Sequence, residues 1–148
     1  MSSKKPTKAR QSRADIAAET LRILERGHYR TDAGTVHIAS DLDRAIQGTQ
    51  LYTPGGGVPI PDAQHQTDFS VENETTLAGC RRLVAAGHDV AALNFASARN
   101  PGGGFRKGSQ AQEESIARAS GLFACVEGNE MYVYNRHHRH PLYSDHMI

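Results

Sequence analysis

Glu113 and Glu114 stand side by side, preceded by Gln112, and seven residues separate Gln112 from three successive glycines, Gly102, Gly103 and Gly104. Three bare positions let a ligand approach the backbone and permit positive φ. Successive N–H groups can then form an anion-binding concavity. The paired carboxylates add the possibility of proton transfer. On a helix, adjacent side chains point about 100° apart, so the two cannot reach one atom from the same direction. A division of labour is expected, in which one carboxylate holds a substrate by hydrogen bonds while the other exchanges a proton. A helix N-terminus favours the carboxylate anion, whereas a general acid near neutrality needs a raised pKa. Burial and a neighbouring diphosphate would both raise it. Taken separately, each half has a plainer reading: a flexible glycine turn without a ligand, and a charged first helical turn.

The surrounding pattern predicts how these residues are held. Val90–Ala96 is a continuous apolar run of the kind buried on both faces of a parallel sheet. The glycine loop leaves its end, and a helix is expected over Gln112–Val126, with Ile116, Ala119, Ser120 and Phe123 on its buried side. Ligands bind at such strand–loop–helix junctions in open α/β sheets. Upstream, the spacing predicts a helix over Ser12–Arg26, capped by Ser12 and ended by Gly27. A short strand is expected over Thr35–Ile38 and a capped helix over Ser40–Gln47. Residues 53–66, rich in Gly and Pro, read as a long surface loop. Asp68–Asn73 reads as a strand, and Glu74–Ala86 as an amphipathic helix closed by Gly87. The order is that of an α/β fold with right-handed crossovers. Tyr132 and Tyr134, at strand spacing, read as packing residues, and the chain stops at Met147-Ile148 in what reads as the start of a strand, as expected of a segment of a longer domain.

The 148 residues carry 17 basic and 16 acidic side chains, and mean hydropathy is −0.56. That is one soluble domain with a modest core. No apolar run approaches the roughly 20 residues of a membrane span, and no secretory signal is evident, so a cytoplasmic protein is expected. Cys80 and Cys125 read as reduced core residues. Residues 1–12 hold Lys4, Lys5, Lys8 and Arg10 with no acid, leaving a net −3 on the remainder. A basic tail over 1–11, expected to be disordered, on a mildly acidic body argues against direct nucleic-acid binding. His137, His138, His140 and His146 lack an acid or cysteine to complete a metal ligand set, so they read as a solvated polar loop. Arg136 and Arg139 could meet a phosphate polymer.

Gly-Gly-Gly, seven residues, then Gln-Glu-Glu resembles the signature of poly(ADP-ribose) glycohydrolases. The flanks Asn94-Phe-Ala-Ser-Ala-Arg-Asn-Pro101 and Ser115-Ile-Ala-Arg-Ala-Ser-Gly-Leu122 resemble the bacterial, microbial-type branch. The resemblance covers residues 13–148 and is dense between 93 and 123. It implies a macrodomain-like three-layer α/β/α fold, incomplete in this chain, with residues 12–148 forming its N-terminal portion. It also implies hydrolysis of the ribose–ribose bond of poly(ADP-ribose), releasing ADP-ribose. Glu114 would be the acid/base and Glu113 would hold a ribose hydroxyl. Gly102, Gly103 and Gly104 would line the distal ribose and diphosphate, Gln112 would shape the pocket, and Asn94 would close the strand beneath. No metal or other cofactor is implied. The partners would be poly(ADP-ribose) or an ADP-ribosylated protein, met by a monomer. Family members continue past the position of Ile148, so the segment alone is expected to be weakly active or inactive. A non-catalytic ADP-ribose-binding module is the alternative.

Overall fold

A computed structural model describes residues 8–56, 66–138 and 142–148. Helix α1 spans Lys8–Arg26. It starts four residues before Ser12, which is therefore inside the helix rather than its cap, and residues 8–11 are helical; the remainder of the basic tail lies outside the described residues. Gly27 ends the helix at φ +71, where a β-carbon would meet the Cβ of Ala39 at 2.8 Å. Only glycine suits a left-handed residue so close to its neighbour.

Strands β1 (His28–Thr31) and β2 (Gly34–His37) pair antiparallel, with Tyr29 opposite Val36. Only the second was expected from sequence, because His-Tyr-Arg-Thr shows little apolar alternation. Helices α2 (Ala39–Gly48) and α3 (Thr76–Ala85) follow. The Thr75 side chain caps α3 by accepting from the Ala78 N–H at 3.2 Å. The Ser40 hydroxyl does not cap α2, which begins one residue earlier with no side-chain cap.

The expected helix over Gln112–Val126 is two helices, α4 (Gln112–Ala119) and α5 (Leu122–Val126). Ser120 breaks it: its hydroxyl donates to the Ile116 carbonyl at 2.8 Å and accepts from the Leu122 N–H at 3.2 Å. These bonds stand in for helical ones. Met131–Tyr134 lies in a helix, α6 (Glu130–His137), rather than a strand. Asn129 caps it, and Met131, Tyr132 and Asn135 share its buried face, a helical spacing.

The largest departure concerns Asp68–Asn73 and Val90–Ala96. Neither forms a strand. Phe69 and Val71 are 92% and 96% exposed, and Leu93 and Phe95 are 73% and 74% exposed. A buried strand exists only where neighbours take up its N–H and C=O groups, and no described segment pairs with either stretch. By contrast, the chain end behaves as strand-like backbone: Met147 forms an antiparallel bridge with Tyr52.

Two apolar clusters hold the described residues together. Ala17, Phe105, Ala117 and Phe123 form one, and Ala98, Val126, Met131 and Tyr132 the other. Leu122 packs against both. Cys80 and Cys125 are free and half-buried. Among the described residues no helix is long and apolar enough to cross a membrane.

Candidate active site

The glycine loop runs from Asn100 to Ser109 between the two clusters. Gly102 and Gly103 adopt φ +68 and +58. A side chain on Gly102 would strike the rings of Phe105 and Phe123 at 3.0 and 3.3 Å, so this glycine is required by packing. On Gly103 a β-carbon would lie 2.5 Å from Glu114 Oε1 and 3.1 Å from Glu113 Oε2. Both carboxyl groups therefore converge on one backbone position, although their Cα positions diverge around α4.

The glycine N–H groups were expected to be able to form an anion-binding concavity. The structure engages two of them within the protein. Gly104 donates to Glu114 Oε1 at 3.0 Å and Gly103 to the Asn100 carbonyl at 2.9 Å. Ser97 also donates its N–H to Glu113 Oε2, at 2.8 Å. The physical reason is that the loop's concavity for an anion is met by the protein's own carboxylates.

Glu113 is only 5% exposed. Burial holds its carboxyl above the usual carboxylate range, opposed by the Ser97 N–H; the Glu114 charge adds to the rise and the Gly102 N–H opposes it. Tyr132, buried beneath, has its phenol pushed up to about 12 by burial, with the Glu113 charge adding. Glu114 is half-buried. It lines an open cleft of about 510 Å³ together with Ser97, Asn100, Gly103, Gly104 and Lys107. With Oε1 anchored on Gly104, its other oxygen is the atom at which a proton can be taken or given.

Gln112 lies beside this cleft and faces a hollow of about 490 Å³ between α3 and α4. Its amide bonds to Leu93, Phe95 and Thr76. Asn94 sits within that grip, and its Oδ1 is buried without a hydrogen bond from the described residues. The six positions singled out around Glu114 are thus brought to one region, at different depths.

The sequence reading passed over several residues that hold the loop. Arg10 and Arg13 of α1 donate to the carbonyls of Lys107 and Gly108 at 2.8 and 2.9 Å, and Arg118 donates to that of Ser109 at 2.6 Å. Three guanidinium groups thus hold three consecutive carbonyls. Ser97 was the more legible of the omissions: its hydroxyl accepts from the Asn100 N–H at 3.1 Å, a turn that a Ser three residues before an Asn-Pro pair announces. Of the clustered histidines, His137 is exposed at the end of α6, and His138 and His146 pack on one ring. His138 stacks on Tyr134 at 3.9 Å between ring centres, and His146 lies 4.8 Å away on the same ring. His140 and Arg139 lie outside the described residues, and Arg136 donates to the Arg99 carbonyl at 2.8 Å. No group of three or more metal-ligating side chains occurs among the described residues.

The described architecture matches solved enzymes. The crystal structure of poly(ADP-ribose) glycohydrolase from Thermomonospora curvata superposes with a TM-score of 0.81 at 47% identity, over 92% of this chain and 53% of that one. The same enzyme bound to the inhibitor ADP-HPD gives 0.79 at 46% identity, over 92% of this chain and 51% of that one. The chain thus spans about half the length of these relatives. No curated protein sequence matches it. Its fold class is the macrodomain-like α/β fold of those glycohydrolases, present here in part. Residues 17–148 match the family described as microbial-type PARG, catalytic domain, and the chain belongs to that family.

Proposed function

We propose that this chain carries the catalytic loop of a hydrolase of the ribose–ribose O-glycosidic bond in poly(ADP-ribose), with Glu114 as general acid/base. One observation carries the reading: a carboxyl anchored through one oxygen on a glycine N–H, with its side chain lining a cleft beside two residues without side chains.

In the first step the protonated Glu114 gives its proton to the departing ribose oxygen as the C1″–O bond breaks. The sugar left behind is oxocarbenium-like. The Glu114 carboxylate then takes a proton from water as that water's oxygen bonds to the anomeric carbon, which releases ADP-ribose and restores the acid. Glu113 accepts a hydrogen bond from a ribose hydroxyl and fixes the sugar. Gly103 and Gly104 admit the distal ribose and diphosphate, while Gly102 acts beneath them by keeping Phe105 and Phe123 in contact. The unpaired Asn94 Oδ1 is an acceptor for a ligand hydroxyl or amine. No metal or cofactor enters this scheme. The substrate is the polymer or an ADP-ribosylated protein, met by a cytoplasmic monomer without a nucleic-acid partner.

The test is release of ADP-ribose from poly(ADP-ribose), alongside calorimetric binding of ADP-ribose. Glu114→Gln is expected to lower release by about 10²–10⁴-fold, the usual worth of a positioned acid/base, while ADP-ribose affinity changes less than about threefold. Release is measured with these residues followed by the remainder of the family's catalytic domain, because the segment alone is expected to be weakly active or inactive. A wild-type protein of that kind that binds ADP-ribose but releases none from polymer would establish the reader module instead.

A further inference from the structure

The side chain of Gln112 has its amide orientation fixed by its partners. Its Oε1 accepts from the Phe95 N–H at 2.7 Å, and its Nε2 donates to the Leu93 carbonyl at 2.9 Å. A backbone N–H can only donate and a carbonyl can only accept, so the oxygen and nitrogen are unambiguous. One residue of a parallel neighbour grips an extended chain in this way, bonding the groups on either side of a central residue. Here the central residue is Asn94, and the neighbour is a single side chain. The second Nε2 hydrogen goes to Thr76 Oγ1 at 3.0 Å. Both donors of Gln112 are then used, and only one acceptor lone pair remains for anything else.

We propose that Thr76 is a positioning residue for the reaction: its hydroxyl locks the Gln112 amide, which in turn holds residues 93–95 extended beside the Gln-Glu-Glu triplet. This rests on the hydrolase reading above. The chain of contacts continues directly. Two residues beyond Phe95, the Ser97 N–H meets Glu113, and Glu114 follows on Gly104. Consecutive residues 112–114 thus grip the backbone at 95, 97 and 104. Rotation of the Gln112 amide would free the first grip and let the second drift. Thr76 suits the role because it is not the α3 cap, which Thr75 supplies. Its hydroxyl is therefore available to the amide without cost to the helix.

The experiment pairs Thr76→Val, which keeps the shape and removes the hydroxyl, with Thr76→Ser, which keeps the hydroxyl. Amide hydrogen exchange at Phe95 and Ser97 is measured by NMR on this chain, and kcat and KM for ADP-ribose release from poly(ADP-ribose) on the same substitutions in the protein completed by the remainder of the family's domain. Thr76→Val is expected to exchange the Phe95 amide about tenfold faster, as for loss of one hydrogen bond. Its kcat is expected to fall about tenfold with KM within twofold, and Thr76→Ser is expected to restore both. Unchanged exchange at Phe95 in Thr76→Val overturns the proposal. So does faster exchange with unaltered kcat, which makes the contact structural only, and so does a serine variant as impaired as the valine. If the wild-type protein completed by the remainder of the family's domain releases nothing, the hydrolase reading fails and takes the positioning role with it; exchange at Phe95 still reports the contact itself.

Discussion

Residues 97–126 and residues 88–96 adjoin in sequence and differ in almost everything else. The first stretch is tied inward. Phe105 is 1% exposed, the loop carbonyls at 107–109 each accept from an arginine, and Glu113 and Glu114 hold the loop's N–H groups. The second is more apolar, yet it leaves Leu93 and Phe95 in solvent, and the side chain of Gln112 is what grips its backbone. Hydrophobicity alone therefore did not decide which stretch became ordered core. The loop closes with partners from α1 and α4, both within this chain, whereas a strand buried on both faces needs a sheet around it. The glycine-loop region holds its shape with partners that this chain itself supplies, and the stretch leading into it does not.

If that contrast is right, the largest stability loss comes from Phe105. Phe105→Ala should remove about 3–5 kcal/mol, as for a fully buried aromatic. At this chain length that lowers Tm by about 10 °C or more. A thermal melt showing a loss of only a few degrees would mean that the cluster around Phe105 is not what holds the loop.

Next comes Gly103→Ala. The positive φ costs about 1–2 kcal/mol for any L side chain, and the new methyl, 2.5 Å from Glu114 Oε1, must push that carboxylate off Gly104. ADP-ribose release should fall about 100-fold, roughly the loss of one positioned charge contact. Gly128→Ala is the control, because Gly128 has φ +81 and open space where the β-carbon would go. It should cost only the backbone term and leave release intact. Equal losses of release in the two variants would detach Gly103 from the site.

Arg13→Ala is smaller again. It frees the Gly108 carbonyl on a loop that keeps Arg10 and Arg118, so about 1–2 kcal/mol is expected, as for one charge-assisted bond. Chemical denaturation measures it. A larger loss would show that the three carbonyl contacts act as one unit.

Glu113 supplies a comparison by pH. Its folded-state pKa is raised by burial. Below the ordinary carboxylate value, folded and unfolded chains are both protonated there, and the group has no net effect. Between that value and the raised one, the folded chain binds a proton that the unfolded chain has lost, so stability falls as pH rises through this window and stays lowered above it. Glu113→Gln removes the ionisation and leaves an oxygen for the Ser97 N–H. The Tm of the variant relative to wild type should increase from pH 4 to pH 7. A difference independent of pH would rule out the raised pKa.

The sequence announced the site better than the scaffold. Gly-Gly-Gly and Gln-Glu-Glu are local patterns, and the Glu113 and Glu114 carboxyls do meet the glycine loop at Gly103. Gly27 ended α1 as expected, whereas the caps that Thr75 and Asn129 supply to α3 and α6 were not anticipated. The strand over Val90–Ala96 was misread because an apolar run records a preference, while pairing depends on neighbours far off in sequence. Ser120 was placed on the buried side of one continuous helix because a serine on a helical pattern gives no sign of whether its hydroxyl will bond to Ile116 or to solvent. Long-range contacts such as Arg13 to Gly108 leave no local trace. The filling of the anion concavity by the two glutamates depends on the loop's backbone angles, which the glycines permit but do not specify.

The smallest effect belongs to Phe95, and it is the sharpest check of the opening contrast. Phenylalanine on a predicted buried strand should be as costly to replace as Phe105. On the described structure its ring is 74% exposed and only its N–H is engaged, by Gln112. Phe95→Ser keeps that N–H and removes a solvated ring, so the change in unfolding free energy of this chain should stay within about 0.5 kcal/mol, the range of ordinary surface positions. The same substitution in a chain whose strand is flanked on both sides would remove a buried aromatic and cost about 3–5 kcal/mol. Denaturation of Phe95→Ser and Phe105→Ala side by side therefore separates the two regions by a full order of magnitude. A loss of several kcal/mol at Phe95 would place its ring inside a core, and the distinction between a self-sufficient loop and a dependent strand would collapse.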